Sequence, residues 1–267
     1  GALVITNRNL DLKISNKDAF IITALSWMLF TLLCSVPFIY SEVNLSIVDA
    51  LFESMSGVTT TGATILNNLD QAPKGILIWR ALLQWLGGIG IIVIALVILP
   101  FLRIGGMQLF HLEGDDPYDK FLPKISSVVS KIFIVYLTLT IILFFLYYLN
   151  GMSLFDAIAH SFTTISTGGF STHNNSFAYF ENITILNIGI IFMILGSFPF
   201  LVLAQSSFSN ITSLIKDHQV RLFLIILILA ISLIYFFARN YVDGDIYYKV
   251  STISFNTISI ISGTGYV

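Results

Sequence analysis

Long apolar runs alternate with short polar segments along the whole chain. Five runs are nearly free of charge: residues 19–40, 75–102, 132–149, 183–204 and 222–238. A helix that crosses a membrane needs about 17–25 predominantly apolar residues. The pattern therefore predicts an all-α membrane protein with five spanning helices.

The composition agrees with this pattern. The chain is 56% hydrophobic and 10% charged, whereas a soluble globular domain carries roughly 25% charged residues. The single cysteine, Cys34, lies inside an apolar run, so we expect a buried core residue and no disulfide.

A short block occurs twice and a third time in degenerate form. Residues 46–62 and 153–169 match at a constant offset of 107, and residues 255–266 match mainly at their Ser/Thr/Gly tail. Six residues of the first block are identical in the second: Ser46, Asp49, Ala50, Ser54, Thr60 and Gly62. Such repetition indicates copies of one unit assembled around a common feature.

Each block lies between two apolar runs, so the repeat predicts units of helix, pore loop and helix. The predicted parts are a cytoplasmic lead-in (1–18), unit 1 (19–102, pore loop 46–66), a cytoplasmic linker (103–124), unit 2 (125–204, pore loop 153–172), a second linker (205–221) and unit 3 (222–267), which stops after its pore loop. Because each complete unit crosses the membrane twice, the three pore loops are expected on one side.

The pore loops have the composition of a cation filter. A block of about 13 residues makes roughly 20 Å of helix, which enters a bilayer without crossing it. Glycine then permits the backbone to turn its carbonyl oxygens toward an ion, and small hydroxyls do not obstruct it. One such tripeptide is typical of a turn, but three copies favour a filter. The predicted cation ligands are Thr60, Thr61, Gly62, Thr167, Gly168, Gly169, Gly263, Thr264 and Gly265.

Charge distribution predicts the orientation. With the pore loops outside, nine basic residues lie inside and four outside, as the positive-inside rule requires. The inner ones are Arg8, Lys13, Lys17, Arg103, Lys120, Lys124, Lys131, Lys216 and Arg221. Eight carboxylates fall outside, either as solvated loop charge or as a vestibule that concentrates cations: Glu42, Asp49, Glu53, Asp70, Asp156, Glu181, Asp243 and Asp245.

Several polar residues have structural interpretations. Arg80 is expected to form a structural salt bridge or to snorkel, and His160, which aligns with Glu53 and Asn256, to brace the filter by hydrogen bonds. Gly88 and Gly90 predict helix packing, and Pro199 predicts a kink. The remaining histidines, which are isolated in the sequence and show no metal-ligand spacing, are His111, His173 and His218.

Five longer motifs carry a family resemblance: TTTGAT at 59–64, WRALLQWLGGIG at 79–90, GGMQLF at 105–110, GMSLFDA at 151–157 and TTISTGGFST at 163–172. With them, nearly the whole chain resembles the membrane subunit of Trk-type potassium uptake systems, in the Trk/Ktr/HKT superfamily. The resemblance implies four units in pseudo-fourfold symmetry, as in potassium channels. It also implies that this sequence is a fragment that lacks leading helices, the second helix of unit 3 and unit 4.

The resemblance further implies a multi-pass protein of the bacterial inner membrane that transports K⁺. It implies a homodimer in the lipid bilayer and a cytosolic nucleotide-binding regulatory ring, for which 103–131 and 205–221 are the available loops. In this superfamily glycine at the key filter position goes with potassium, and here those positions are Gly62, Gly169 and Gly265.

Three alternatives stay open. One is a sodium-permeable or potassium/sodium-coupled relative, which would act as a symporter. A second is an intramembrane hydrolase that uses Ser161 or Ser262 with His160; it fits poorly, because the hydroxyls recur in every repeat and the histidine does not. The third is a non-conducting relative, against which the glycines in all three copies argue.

Cysteine labelling tests the orientation. In intact cells, Asn68→Cys and Asn174→Cys should react with an impermeant thiol reagent added outside, because both positions follow a pore loop. Asp115→Cys should react only after the membrane is opened. Reaction of the Asp115 variant from outside would reverse the predicted orientation.

Overall fold

The computed structural model describes residues 16–102, 117–205 and 211–267. These residues form helices and connecting loops without any β-strand, as expected for an all-α protein. The helices are α1 (Asn16–Tyr40), α2 (Ile47–Val58), α3 (Lys74–Leu102), α4 (Pro117–Leu149), α5 (Leu154–Ile165), α6 (Ile183–Gly196), α7 (Phe200–Gln205), α8 (Ile211–Lys216), α9 (His218–Ala238) and α10 (Ile246–Ile261). The predicted lead-in up to residue 15, with Arg8 and Lys13, and linker residues 103–116, with Arg103, His111 and Asp115, lie outside this description.

Four helices are long and apolar enough to cross a membrane. Their candidate spans are Phe20–Tyr40, Lys74–Ile94, Ser127–Leu149 and His218–Ala238. They correspond to four of the five predicted spans. Helix α4 begins at Pro117, earlier than the predicted start of unit 2 at 125, and proline suits the first turn of a helix because no hydrogen bond from its nitrogen is needed there.

The fifth predicted span, 183–204, is wrong as a single kinked helix, because it is divided into α6 and α7. Helix α6 ends at Gly196, and Ser197 closes it with a hydroxyl bond to the carbonyl of Met193 at 2.7 Å. Pro199 follows and cannot donate a backbone hydrogen bond, which favours a break at this point. The chain resumes as α7 at Phe200.

The pore helices α2 and α5 start with the same cap. Ser46 accepts a hydrogen bond from the amide of Asp49 at 3.2 Å, and Ser153 accepts one from the amide of Asp156 at 3.1 Å. Each serine hydroxyl in turn donates to the aspartate carboxylate. This reciprocal pairing fixes where a helix begins. Each helix has 12 residues, which makes about 18 Å and is too short to cross a bilayer.

The three pore helices, α2, α5 and α10, repeat one packing arrangement. Each packs against the first helix of its own unit, α1, α4 or α9. The second and third also pack against the second helix of the preceding unit, α3 or α6. Rotation of one unit about a common axis produces this order. Cys34 is buried in the core around α1, as predicted.

Glycines let α3 approach the pore helices closely. A Cβ on Gly87 would meet the carbonyl oxygen of Val58, and one on Gly88 would lie 2.9 Å from Cβ of Ser166. Gly196 repeats the contact of Gly87, with 2.8 Å between its Cβ position and the carbonyl oxygen of Ile165. The packing predicted for Gly88 is confirmed, whereas Gly90 has nothing within 4 Å.

Gly87→Ala should destabilise the protein, because the new methyl group meets a backbone carbonyl that cannot move without shifting α2. Gly90→Ala, on the same helix, should be neutral or stabilise by about 0.5–1 kcal/mol, since alanine is the better helix former. Thermal unfolding of the detergent-purified variants measures both effects. Equal unfolding temperatures for the two variants would contradict the close packing at Gly87.

Candidate ion filter

Three filter tails, residues 59–62, 166–169 and 262–265, leave the pore helices along the same backbone path. The first left-handed position of each tail has φ of 56°, 50° and 78° at Thr60, Thr167 and Gly263. The second has φ of 78°, 79° and 78° at Gly62, Gly169 and Gly265. Residues other than glycine seldom adopt such angles, so three parallel occurrences mark a required conformation.

Backbone amides of the tails bond back to the pore helices. The amides of Thr60, Thr167 and Gly263 donate to carbonyls three residues earlier, at 3.0, 3.0 and 3.1 Å. The amides of Thr61 and Gly168 reach further back, to Ser56 and Thr163, at 2.9 and 2.8 Å. These bonds anchor each tail to the C-terminal end of its helix.

The three tails converge on one another. A Cβ on Gly62 would meet the carbonyl oxygen of Gly168 and would lie 3.7 Å from that of Thr264. A Cβ on Gly169 would likewise meet the carbonyl oxygen of Thr264. The structure therefore brings the three predicted tripeptides together, with the middle carbonyl of one tail against the glycine of its neighbour. Ion contact by these residues stays a prediction.

Polar residues of the pore helices brace the segments that follow the tails. Glu53 accepts hydrogen bonds from the Thr64 hydroxyl at 2.8 Å and the Ile65 amide at 3.1 Å. One unit later, His160 Nε2 pairs with the Ser171 hydroxyl at 3.0 Å. Thr64 and Ser171 are also related by the 107-residue offset, so the hydrogen bonding predicted for His160 is present, and its role in bracing a filter stays a prediction. Asn256, aligned with them, is exposed.

Arg80 connects the first two units. Its Nε donates to Glu53 at 2.7 Å in a pair whose side chains are 1% and 0% exposed. Its other nitrogens donate to the Thr64 hydroxyl at 2.9 Å and the Ser171 carbonyl at 3.3 Å. The guanidinium also lies 4.0 Å above the Phe170 ring. The salt-bridge interpretation is confirmed and the snorkelling one is wrong, and Glu53 is not a solvated loop charge.

Gln84 is a filter contact that the sequence did not reveal. Its Nε2 donates to the Gly168 carbonyl at 2.6 Å, and its Oε1 accepts from the Phe170 amide at 3.0 Å. The only available signal was its spacing, since it lies one helical turn after Arg80 in an otherwise apolar helix. The third tail also receives support from the unit before it, because the Tyr266 hydroxyl pairs with Thr163 and Thr164.

His173 links the loops that follow the first two tails, so its apparent isolation in the sequence is misleading. Its Nδ1 lies 2.6 Å from Asp70 and its Nε2 3.4 Å from Asp156. The ring stacks on Tyr179 with centroids 3.4 Å apart. Hydrogen bonds from His173 and Asn174 lower the pKa of Asp70. Among the described residues, no group of three His, Cys, Asp or Glu side chains is placed to hold a metal ion.

The geometry does not form a hydrolase site. The Ser161 hydroxyl donates to the Ile158 carbonyl at 2.8 Å, and that of Ser262 pairs with Thr264 at 2.7 Å. His160 is occupied instead by Ser171 and by the Asp156 carbonyl. A nucleophile must lie within hydrogen-bond reach of its base, and neither predicted serine is paired with this histidine.

Comparison with known proteins places the chain in a family. The family described as "TrkH: Cation transport protein" matches residues 1–242, and the chain belongs to this family of transport proteins, which are not enzymes. It is 38% identical over 248 residues to the Trk system potassium uptake protein TrkI of Halomonas elongata, covering 92% of the chain and 50% of that protein. It is 45% identical over 193 residues to Trk system potassium uptake protein TrkH of Escherichia coli, covering 71% of the chain and 40% of that protein.

A solved structure has the same fold. The potassium transporter TrkH from Vibrio parahaemolyticus matches with a TM-score of 0.85 and 35% identity, over 97% of this chain and 53% of that one. The potassium-channel-like fold that the resemblance implies is thereby confirmed. The chain spans about half the length of the relatives that it matches.

Arg80→Met should cost about 3–5 kcal/mol of stability, because it leaves the buried Glu53 carboxylate without its partner. Adding Glu53→Gln should recover part of that loss, since no charge then stays buried alone. Arg239→Met, at an exposed site, is the matched control. Unfolding temperatures of the purified proteins measure the effect, and an Arg80 variant as stable as the Arg239 control would disprove the structural role.

Proposed function

We propose that this chain forms part of the pore of a potassium uptake transporter, in which dehydrated K⁺ passes between the three filter tails. The observation that carries the proposal is the convergence of the tails, with glycine of one tail against the middle carbonyl of the next. The relatives named as Trk potassium uptake proteins support potassium as the ion.

Backbone oxygens suit this task because they can replace the hydration shell of a monovalent cation without introducing a full negative charge. The pore helices add a second favourable term. Their C-terminal ends, at Val58, Ile165 and Ile261, adjoin the tails. The C-terminal end of a helix carries partial negative charge, which stabilises a cation nearby.

Potassium is favoured over sodium by the glycines at the second left-handed position of every tail. In the superfamily that the chain resembles, serine at this place in the first tail accompanies sodium permeability. Here the positions are Gly62, Gly169 and Gly265, all with φ near 78°. A sodium-permeable or coupled transporter is the alternative that a flux measurement would distinguish.

The setting proposed for this pore is the bacterial inner membrane, with the pore loops outside. A second copy of the complete transporter and a cytosolic nucleotide-binding ring are the proposed partners. The relatives are named as parts of a Trk system, which agrees with a partner. The linkers at 103–131 and 205–221 are the proposed docking segments for the ring, and 103–116 and 206–210 of them lie outside the described residues.

Replacing each filter glycine by serine tests the proposal. Gly62→Ser, Gly169→Ser and Gly265→Ser should each reach the membrane but lose potassium preference, because a side chain at positive φ strains the backbone that faces the ion. At Gly62 and Gly169 the new Cβ also meets a neighbouring carbonyl. Potassium-limited growth and the ratio of rubidium to sodium uptake are measured in cells that lack other uptake systems.

Gly75→Ser is the control, since a Cβ there meets nothing within 4 Å. It should keep wild-type growth and uptake ratios. Wild-type selectivity in one of the three filter variants would contradict a role for that tail in the filter. Wild-type selectivity in all three would contradict the proposed filter as a whole.

A further inference from the structure

The second filter tail differs from the other two at its middle position. The first and third tails have Thr61 and Thr264 there, whereas the second has Gly168. Gly168 does not have a positive φ, so its backbone conformation does not require glycine. A Cβ on Gly168 would instead run into the side-chain amide of Gln84. Glycine is therefore needed here for space and not for conformation.

The threonines stabilise their own tails with a hydroxyl pair. Thr61 pairs with Thr59 at 2.7 Å, and Thr264 pairs with Ser262 at 2.7 Å. The second tail cannot form this pair, and its Ser166 hydroxyl turns back to the Phe162 carbonyl at 2.8 Å. The second tail thus lacks the internal hydrogen bond that the other two share.

Gln84 supplies the missing support from unit 1. It is fully buried, and its amide spans the tail, with Nε2 to the Gly168 carbonyl and Oε1 from the Phe170 amide. Turning the amide over would oppose donor to donor and acceptor to acceptor, so the two bonds fix its orientation. The peptide unit between Gly168 and Gly169 has two glycines beside it, and glycine restricts backbone rotation least.

The helix that precedes the third tail, α6, has no amide side chain at the position that corresponds to Gln84. Gly87 and Gly196 both lie against the last carbonyl of a pore helix, at Val58 and Ile165. Three residues before Gly196 stands Met193, which is where Gln84 stands relative to Gly87. The second tail, with glycine at its middle position, therefore follows a helix with glutamine at this place. The third tail, with threonine at its middle position, follows a helix with methionine there.

We propose that Gln84 is a positioning residue for the second filter tail, holding the Gly168 carbonyl and the Phe170 amide in the orientation on which cation preference depends. The inference rests on the proposed filter. It adds that the backbone of the second tail is held by a side chain of the preceding unit, and that Gln84 and Gly168 are matched to each other.

Three variants of the complete transporter test this pairing. Gln84→Met keeps the volume but removes both hydrogen bonds, so the ratio of rubidium to sodium uptake should fall about five- to tenfold, the effect of about one hydrogen bond. Gly168→Thr should also be defective, because its side chain meets Gln84. Gln84→Ala combined with Gly168→Thr should recover most of the selectivity, since the introduced threonine hydroxyl can then pair with Ser166 as in the other tails.

Membrane abundance and unfolding temperature separate positioning from folding, and Gln71→Met, at an exposed loop glutamine, is the control. Recovery in the double variant supports the proposal even if either single variant fails to accumulate. Wild-type selectivity of Gln84→Met, while Gly169→Ser is unselective, would overturn the role of Gln84 and leave the filter intact. An accumulating double variant without recovery would overturn the matched pair. Unchanged selectivity in Gly169→Ser would contradict the proposed filter, and the inference about Gln84 would then fail as well, because it rests on that filter.

Discussion

Backbone that leaves a helix at membrane depth must have its polar groups satisfied by protein, water or ions. The rest of this structure depends on that constraint. Most tail amides donate to carbonyls of the pore helices. The left-handed residues give the tails a strained shape that the surrounding structure must hold. The tails and the segments after them are supported by side chains of the surrounding helices, among them Glu53, Gln84 and His160.

The support is chemically different in the first two units. Unit 1 uses the buried pair of Glu53 and Arg80, and unit 2 uses the neutral contact of His160 with Ser171. A buried ion pair does not by itself make a protein more stable than apolar packing would. Its advantage here is geometric, because the planar guanidinium presents several donors and reaches acceptors in two units at once. His160 uses both of its ring nitrogens within unit 2, on the Asp156 carbonyl and the Ser171 hydroxyl.

Much of this arrangement could be predicted from the repeat, because the repeated residues act locally. Ser46 and Asp49 cap a helix, Ala50 and Ser54 are fully buried, and Thr60 and Gly62 have positive φ. Contacts between units could not be predicted, since Gln84 and Gly168 are 84 residues apart. The same holds for His173, whose carboxylate partners lie on other segments. The break at Pro199 was foreseen only as a kink, because sequence does not show how far the helix can adjust.

Glycine in these tails has two separate physical causes, and φ distinguishes them. Gly62, Gly169 and Gly265 have φ near 78°, a conformation that favours glycine over residues with a side chain. Gly168 does not, and the neighbouring amide selects it by occupying the space of a side chain. At Gly168 the same residue that excludes a side chain, Gln84, supplies two hydrogen bonds to the second tail. Gly168 can therefore be interpreted only together with Gln84.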